Sequence, residues 1–370
     1  MTISLQVLRN LAKLAGITRV SDITGLDRVG IPVCVAVRPN AGPGAISVYN
    51  GKGLTLEQAE RSAIMEGIER YSASLIPSDK LIHGSYYALG DLAVDPKTLI
   101  ISKKSPYSDN ASLQWVRGND LWTMKSILLP ASTVFFPYYG NDRLFPPNTD
   151  GLAAADTLEA AVLAGLLELI ERDASSLAQF YRPLRSVKLS SIKDNSAVEV
   201  LEKFERSGIR VFIKDITTDV GIPVFIAISI DDEYQIAAGG VACDLVRERA
   251  LLKCLLEMAQ SRLTKIHGAR EDLKPTKPWV DLKKSLATWV SDESNEVDFR
   301  EIPTWEYTKP SEGLMIIRQR LQAVGMNHAF VVNLTQEGLP HVVRCIVPGL
   351  EDSVIDITRQ GQRARSLSQL

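Results

Sequence analysis

The sequence predicts an α+β fold in which units of sheet followed by helix recur along the chain. Three observations predict it: two long helical patterns that repeat each other, β-rich apolar runs ahead of them, and the composition of an ordinary globular protein. Of 370 residues, 45% are hydrophobic and 23% charged. That is enough apolar material to bury a large core, and it excludes a mainly disordered or fibrous chain.

Residues 5–16 space their apolar side chains at three and four and stop at Gly16, as an amphipathic helix with a glycine cap does. The runs 31–37 and 45–49 are apolar and β-rich, and the Pro39-Asn-Ala-Gly-Pro-Gly44 turn between them predicts a hairpin. Gly51-Lys52-Gly53 reads as a tight turn into a long helix over 56–75, ended by Pro77. Short strands and turns follow, then a second long helix over 157–181, ended by Pro183. Residues 187–230 read as strand, helix, strand, with the helix at 197–207 and strands at 211–213 and 224–230. A third long helix covers 247–265. Residues 266–311 are rich in charge and carry Pro275, Pro278, Pro303 and Pro310, which predicts a surface insertion. A helix near 313–324 and strands at 329–334 and 341–347 complete the pattern. One domain over 1–370 is expected.

Several classes drop out. A net charge of −2 gives no global field toward nucleic acid or an anionic bilayer. No window approaches eighteen uninterrupted apolar residues, and the first residues lack a secretory layout, so a cytoplasmic protein without membrane contact is expected. Cys34, Cys243, Cys254 and Cys345 form no C-x-x-C pair and sit among apolar neighbours, which predicts buried, reduced thiols and no zinc. The four histidines form no cluster and there is no G-x-S-x-G, so a Ser-His hydrolase is unsupported.

The chemistry lies in the repeat. Laid over Thr157–Leu177, the segment Thr55–Leu75 is identical at ten of twenty-one positions, including Glu66-x-Ile68-Glu69-Arg70 against Glu168-x-Ile170-Glu171-Arg172. A weaker third copy, Glu257-Met-Ala-Gln260-Ser-Arg262, lies in the third helix. Residues i and i+3 share a helix face, so each copy aims two oxygen-bearing side chains one way. An isolated pair of this kind is usually a solvated face. Here the neighbours are apolar, and buried carboxylates are costly unless neutralised. Either Arg70, Arg172 and Arg262 do so, or a hard cation does. Three such helices converging would form a multi-Mg2+ cradle for a nucleoside triphosphate.

The run Thr18-Arg-Val-Ser-Asp-Ile-Thr-Gly-Leu-Asp-Arg-Val-Gly-Ile-Pro32, then Ala36-Val-Arg-Pro39, Asn50-Gly-Lys-Gly-Leu-Thr-Leu56 and Ser62-x3-Glu66-x2-Glu69-Arg70-Tyr71, closely resembles the YcaO family. Asp150-Gly-Leu-Ala-Ala-Ala-Asp156 leading into Glu168-Leu-Ile-Glu171-Arg172-Asp173, and Glu257-Met-Ala-Gln260-Ser-Arg262, match its further blocks in the same order. The resemblance implies a YcaO-type fold with an ATP site between the helices and an enzyme that activates a peptide backbone amide. The amide oxygen attacks the γ-phosphate of ATP, and a nucleophile then adds to the carbonyl carbon before phosphate leaves. Glu66, Glu69, Glu168, Glu171 and Glu257 are implied to hold Mg2+, with Asp150 joining them where the family often has asparagine. Ser62, Arg172 and Gln260 are implied to contact the nucleotide, with Arg70 and Lys52 beside them. No dedicated nucleophile or base is identified, which suits phosphoryl transfer, where positioning and charge cancellation supply most of the catalysis.

Azoline-forming members end in a P-x-P-x-P tail, and this chain has no proline after Pro348. The Thr-Gly-Leu-Asp-Arg-x-Gly-Ile-Pro block instead resembles members that install a thioamide, including those that thioamidate a glycine of methyl-coenzyme M reductase. The resemblance then implies a peptide or protein substrate, sulfide or a TfuA-like sulfur-delivery partner, and a homodimer. Azoline or amidine formation, or a non-catalytic ATP-binding regulator, are the alternatives.

Overall fold

The chain is described by a computed structural model covering residues 3–102, 105–180, 184–273, 278–290, 295–353, 356 and 358–367. The α+β expectation holds. Strands Arg19–Asp22, Val33–Val37 and Val48–Lys52 form an antiparallel sheet in chain order, its predicted hairpin registered at Val37 opposite Val48. The second hairpin strand starts later than the apolar run suggests. Residues 42–45 turn through an Ala45 N–H to Gly42 carbonyl bond, and Ser47 closes the hairpin by accepting from the Arg38 N–H at 2.8 Å. A second sheet runs Ile82–Ser85, Ser112–Asp120, Phe330–Asn333, His341–Ile346, Leu152–Ala155, with Ser126–Pro130 also pairing to Ser112–Asp120. The third runs Ile236–Cys243, Val224–Asp231, Arg210–Asp215, Arg185–Val187, Glu296–Val297.

Three long helices carry the acidic motifs, and each follows a strand. Val48–Lys52 leads into the first acidic helix, Leu56–Ser74; Leu152–Ala155 into the second, Leu158–Leu177; and Ile236–Cys243 into the third, Arg247–His267. The weak third copy is therefore built like the other two. The first two helices begin alike: the Thr55 hydroxyl accepts from the Gln58 N–H and the Thr157 hydroxyl from the Ala160 N–H, both at 3.2 Å. Thr157→Ala is expected to lower stability by about 1 kcal/mol, the usual cost of a lost helix cap, read as a shift in denaturant midpoint at constant slope.

Two glycines set how close the helices come. A side chain at Gly51 would strike the backbone of Ala59 and Ala63, and one at Gly240 the backbone of Cys254 and Met258. Gly51 and Lys52 therefore end a strand and do not form the predicted turn: the glycine is there for a helix lying directly on the strand. The apolar faces of the helices fill the core, with Ile64 and Ile68, Leu166 and Ile170, and Leu255 and Met258 all fully buried. The four cysteines are buried free thiols, as predicted.

The expected insertion is partly wrong. Glu296–Val297 adds a parallel strand beside Ser186 and Val187, Phe299 and Ile302 are buried, and the Trp305 indole donates to the Gly221 carbonyl at 2.9 Å. The prolines punctuate a segment whose apolar residues still complete a sheet edge. Within it Trp279–Val290 is helical, and residues 274–277 and 291–294 lie outside the described residues.

Candidate functional site

On the side of the three helices away from their apolar faces, the repeated carboxylates meet. Glu69, Glu66 and Glu168 keep side-chain exposures of only 14%, 23% and 23%, and Glu257 keeps 34%. The charges of Glu171 and Glu257, of Glu168 and Glu69, and of Lys52 with Glu171 and Glu66 act on one another, so side chains from all three helices share one electrostatic site.

Acids outnumber cations there. Burial pushes the Glu69 carboxyl up to about 8, with Glu168 and Glu66 adding to the shift against Arg70. Burial raises Glu171 as well, reinforced by Glu257 and Glu168, and it raises Glu168, where Asp150 adds to it. Arg172 stays firmly protonated: burial opposes its charge, but Glu171, Glu168 and Asp150 outweigh burial. Burial likewise opposes the Lys52 ammonium, which Glu257 holds charged.

The ion pairs are incomplete. Lys52 Nζ lies 2.8 Å from Glu257 Oε2, and Arg172 Nε lies 3.1 Å from Asp150 Oδ1 with its Nη2 3.4 Å from Glu168 Oε1. Arg70 reaches Glu69 and Glu66 only at 3.6 and 3.9 Å. Arg70 Nε and Nη1 are buried without a hydrogen-bond partner. Arg70 therefore leaves hydrogen-bonding capacity in these pairs unused. Arg262 does not neutralise the acids at all: it turns away to Asp27 at 2.9 Å and Asp231 at 2.8 Å, tying the third helix to the turn at 24–27.

Ser62 lies one turn before Glu66, and both line a groove of about 770 Å³ with Glu69, Met65 and Ala155. Gln260 donates from Nε2 to the Asn50 carbonyl at 3.0 Å, fixing the third helix against strand Val48–Lys52.

Sequence reasoning missed the floor of the site. Arg344, in strand His341–Ile346, is 4% exposed and donates to the Asn148 carbonyl at 3.0 Å and to Asn148 Oδ1 at 2.7 Å. Asn148 in turn donates to Asp352, which also pairs with Arg359 at 2.8 Å. The available signal was a lone arginine inside the apolar run Val-Val-Arg344-Cys-Ile.

The residues fit a nucleotide with Mg2+. Partnerless guanidinium N–H groups suit phosphate oxygens, and an excess of carboxylates with raised affinity for protons suits hard cations. Among the described residues no three His, Cys, Asp or Glu side chains form a closed metal cage. Magnesium commonly takes few protein carboxylates and completes its shell with water and phosphate oxygens, so an open arrangement is what such a site needs.

Comparison with known proteins bears on this chemistry. The family described as YcaO cyclodehydratase, ATP- and Mg2+-binding, matches residues 50–351. A Methanothermobacter thermautotrophicus protein is 37% identical over 366 residues, covering 95% of this chain and 94% of its own. A protein encoded in the tfuA 3′ region of Rhizobium leguminosarum bv. trifolii is 34% identical, covering 93% and 85%. Among solved structures, YcaO from Methanopyrus kandleri bound with AMPPCP and Mg2+ superimposes with a TM-score of 0.79 at 28% identity, covering 96% of this chain and 91% of that one.

Proposed function

The chain belongs to the YcaO family, and on that premise we propose that it uses ATP and Mg2+ to activate a backbone amide of a peptide or protein and exchanges the amide oxygen for sulfur. The observation that carries the ATP step is the meeting of three acidic helices around guanidinium groups that keep N–H positions without a hydrogen-bond partner. In that step the amide oxygen attacks the γ-phosphorus and the bond to ADP breaks. Sulfur then adds to the carbonyl carbon, and the carbon–oxygen bond breaks to release phosphate.

Glu66, Glu69, Glu168, Glu171 and Glu257 would hold the metal, with Asp150 beside them. When bound, Mg2+ supplies cancellation of phosphate charge. Lys52, Arg70 and Arg172 orient the phosphates, and Ser62 and Gln260 lie along the nucleotide. Because the site holds its cations in place before substrate arrives, the stabilisation costs little reorganisation.

Support for sulfur as the incoming group comes from the relative encoded beside tfuA. On this reading the substrate amide is that of a glycine in a protein such as methyl-coenzyme M reductase, sulfide or a TfuA-like protein delivers the sulfur, and the enzyme works as a homodimer.

Incubation with Mg2+, ATP, sulfide and a glycine-containing peptide is expected to give one phosphate per peptide and a mass gain of one oxygen-to-sulfur exchange. Loss of water from a Cys, Ser or Thr peptide would place the chain among the cyclodehydratases. Nucleotide binding without turnover of any peptide would make it a regulatory ATP-binding protein.

A further inference from the structure

Among the described residues, Arg344 is the one cation of the site that forms no ion pair. Lys52, Arg70 and Arg172 each lie within ion-pair distance of an acid. Among the described residues Arg344 forms no such pair: each Nη gives one hydrogen bond to the neutral Asn148, and its Nε is buried with no partner. The charges acting on it are Asp150, Glu168 and Asp352, with Arg70 opposing, all of them further away than contact. A guanidinium that is 4% exposed costs several kcal/mol to bury without a counter-ion.

Arg344, Asp150, Arg172, Asp352 and Asn148 line a small pocket of about 60 Å³, and the Arg344 charge acts on the carboxyls of Glu168 and Glu69. Asn148 holds the planar guanidinium through two bonds, so the direction of the Nε–H is fixed before any ligand arrives. That is how a donor is arranged to meet charge that develops during a reaction.

We propose that Arg344 is a further substrate-facing residue, whose free Nε–H donates to the phosphoryl group while it passes from ATP to the amide oxygen. The proposal rests on the ATP-dependent reading above. It assigns Arg344 to the group in transfer and leaves ground-state binding of the nucleotide to the residues of the acidic helices.

The test is binding by calorimetry, with Mg2+ and ADP alone and with Mg2+, ADP and vanadate, which mimics the phosphoryl group in transfer. Arg344→Gln is expected to weaken the vanadate complex roughly 100-fold, the size of one preorganised donor, and ADP alone by less than about 3-fold, within which ground-state contacts are unchanged. Asn148→Ala provides a second variant in case the first does not fold. It keeps the guanidinium, frees its direction, and is expected to show the same selective loss to a smaller degree. Equal weakening of both complexes, or of neither, would overturn the proposal and leave Arg344 a structural residue. Failure of the wild-type protein to bind ADP with Mg2+ would overturn the ATP-dependent reading itself, and this proposal with it.

Discussion

Glu168→Ala and Glu171→Gln are each expected to lower ATP consumption by roughly 10³-fold or more, the scale seen when phosphoryl transfer loses an essential charge-cancelling element. Glu168 lies 3.4 Å from Arg172, which also lies 3.1 Å from Asp150, so losing Glu168 also frees the guanidinium proposed to orient the phosphates. Stability should move the other way. Burial makes both carboxyls hold their protons unusually well, with Asp150 adding to it at Glu168 and Glu257 at Glu171, so a neutral side chain in either place removes a charge that is costly to bury. The metal-free variants should therefore melt no lower than the metal-free parent. Lost turnover with an unchanged or raised melting temperature would place these glutamates in the reaction. Lost turnover with a collapsed melting temperature would place them in the scaffold, and full activity in both variants would sink the metal-cradle assignment.

The acidic half of the site is legible in the sequence because it lies on helices. An i, i+3 pair declares its own geometry, and the repeat around Glu66 and Glu168 shows that the geometry recurs. The floor of the site is not legible that way. Arg344, Asn148 and Asp352 come from a strand, a loop before the second helix and the segment after the last strand, and the second sheet brings them together by pairing His341–Ile346 with Leu152–Ala155. No local period records such a meeting.

The errors have physical reasons too. Gly51-Lys52-Gly53 has the composition of a turn, but a helix packed against Gly51 allows no larger residue, and the strand simply continues. The glycine- and alanine-rich strand Ile236–Cys243 lacks the β-branched signature of a strand because the third helix lies almost on its backbone. In the proline-containing segment, Phe299 and Ile302 seal a core whose other side is Phe225, which the charge content of 266–311 conceals.

The same excess of acids makes a prediction about pH and metal. Glu69 has its carboxyl raised from 4.5 to about 8 by burial, so between those values the folded protein holds a proton that the unfolded chain has released. Stability from this group is full below about pH 4.5 and is lost as pH rises through 8. Glu168 and Glu171 shift the same way, as do Asp173, raised by burial to about 6, and Asp352, raised by burial to about 7. The lowered carboxyls, such as Asp219 and Asp231, lose their contribution only below the ordinary carboxylate range, outside this window. Lys265, lowered by burial, works in the opposite sense, one group against five. The metal-free protein is therefore expected to melt lower at pH 8 than at pH 6, by on the order of 5 °C or more. Mg2+ with a non-hydrolysable ATP analogue favours the ionised carboxylates, so it should raise the melting temperature more at pH 8 than at pH 6 and flatten the slope. Glu69→Gln should flatten the metal-free slope by itself. A metal-free melting temperature that stays level or climbs from pH 6 to pH 8 would mean that these carboxyls are not held near-neutral by burial and by their neighbours, and the case for a cation among them would fail at its electrostatic root.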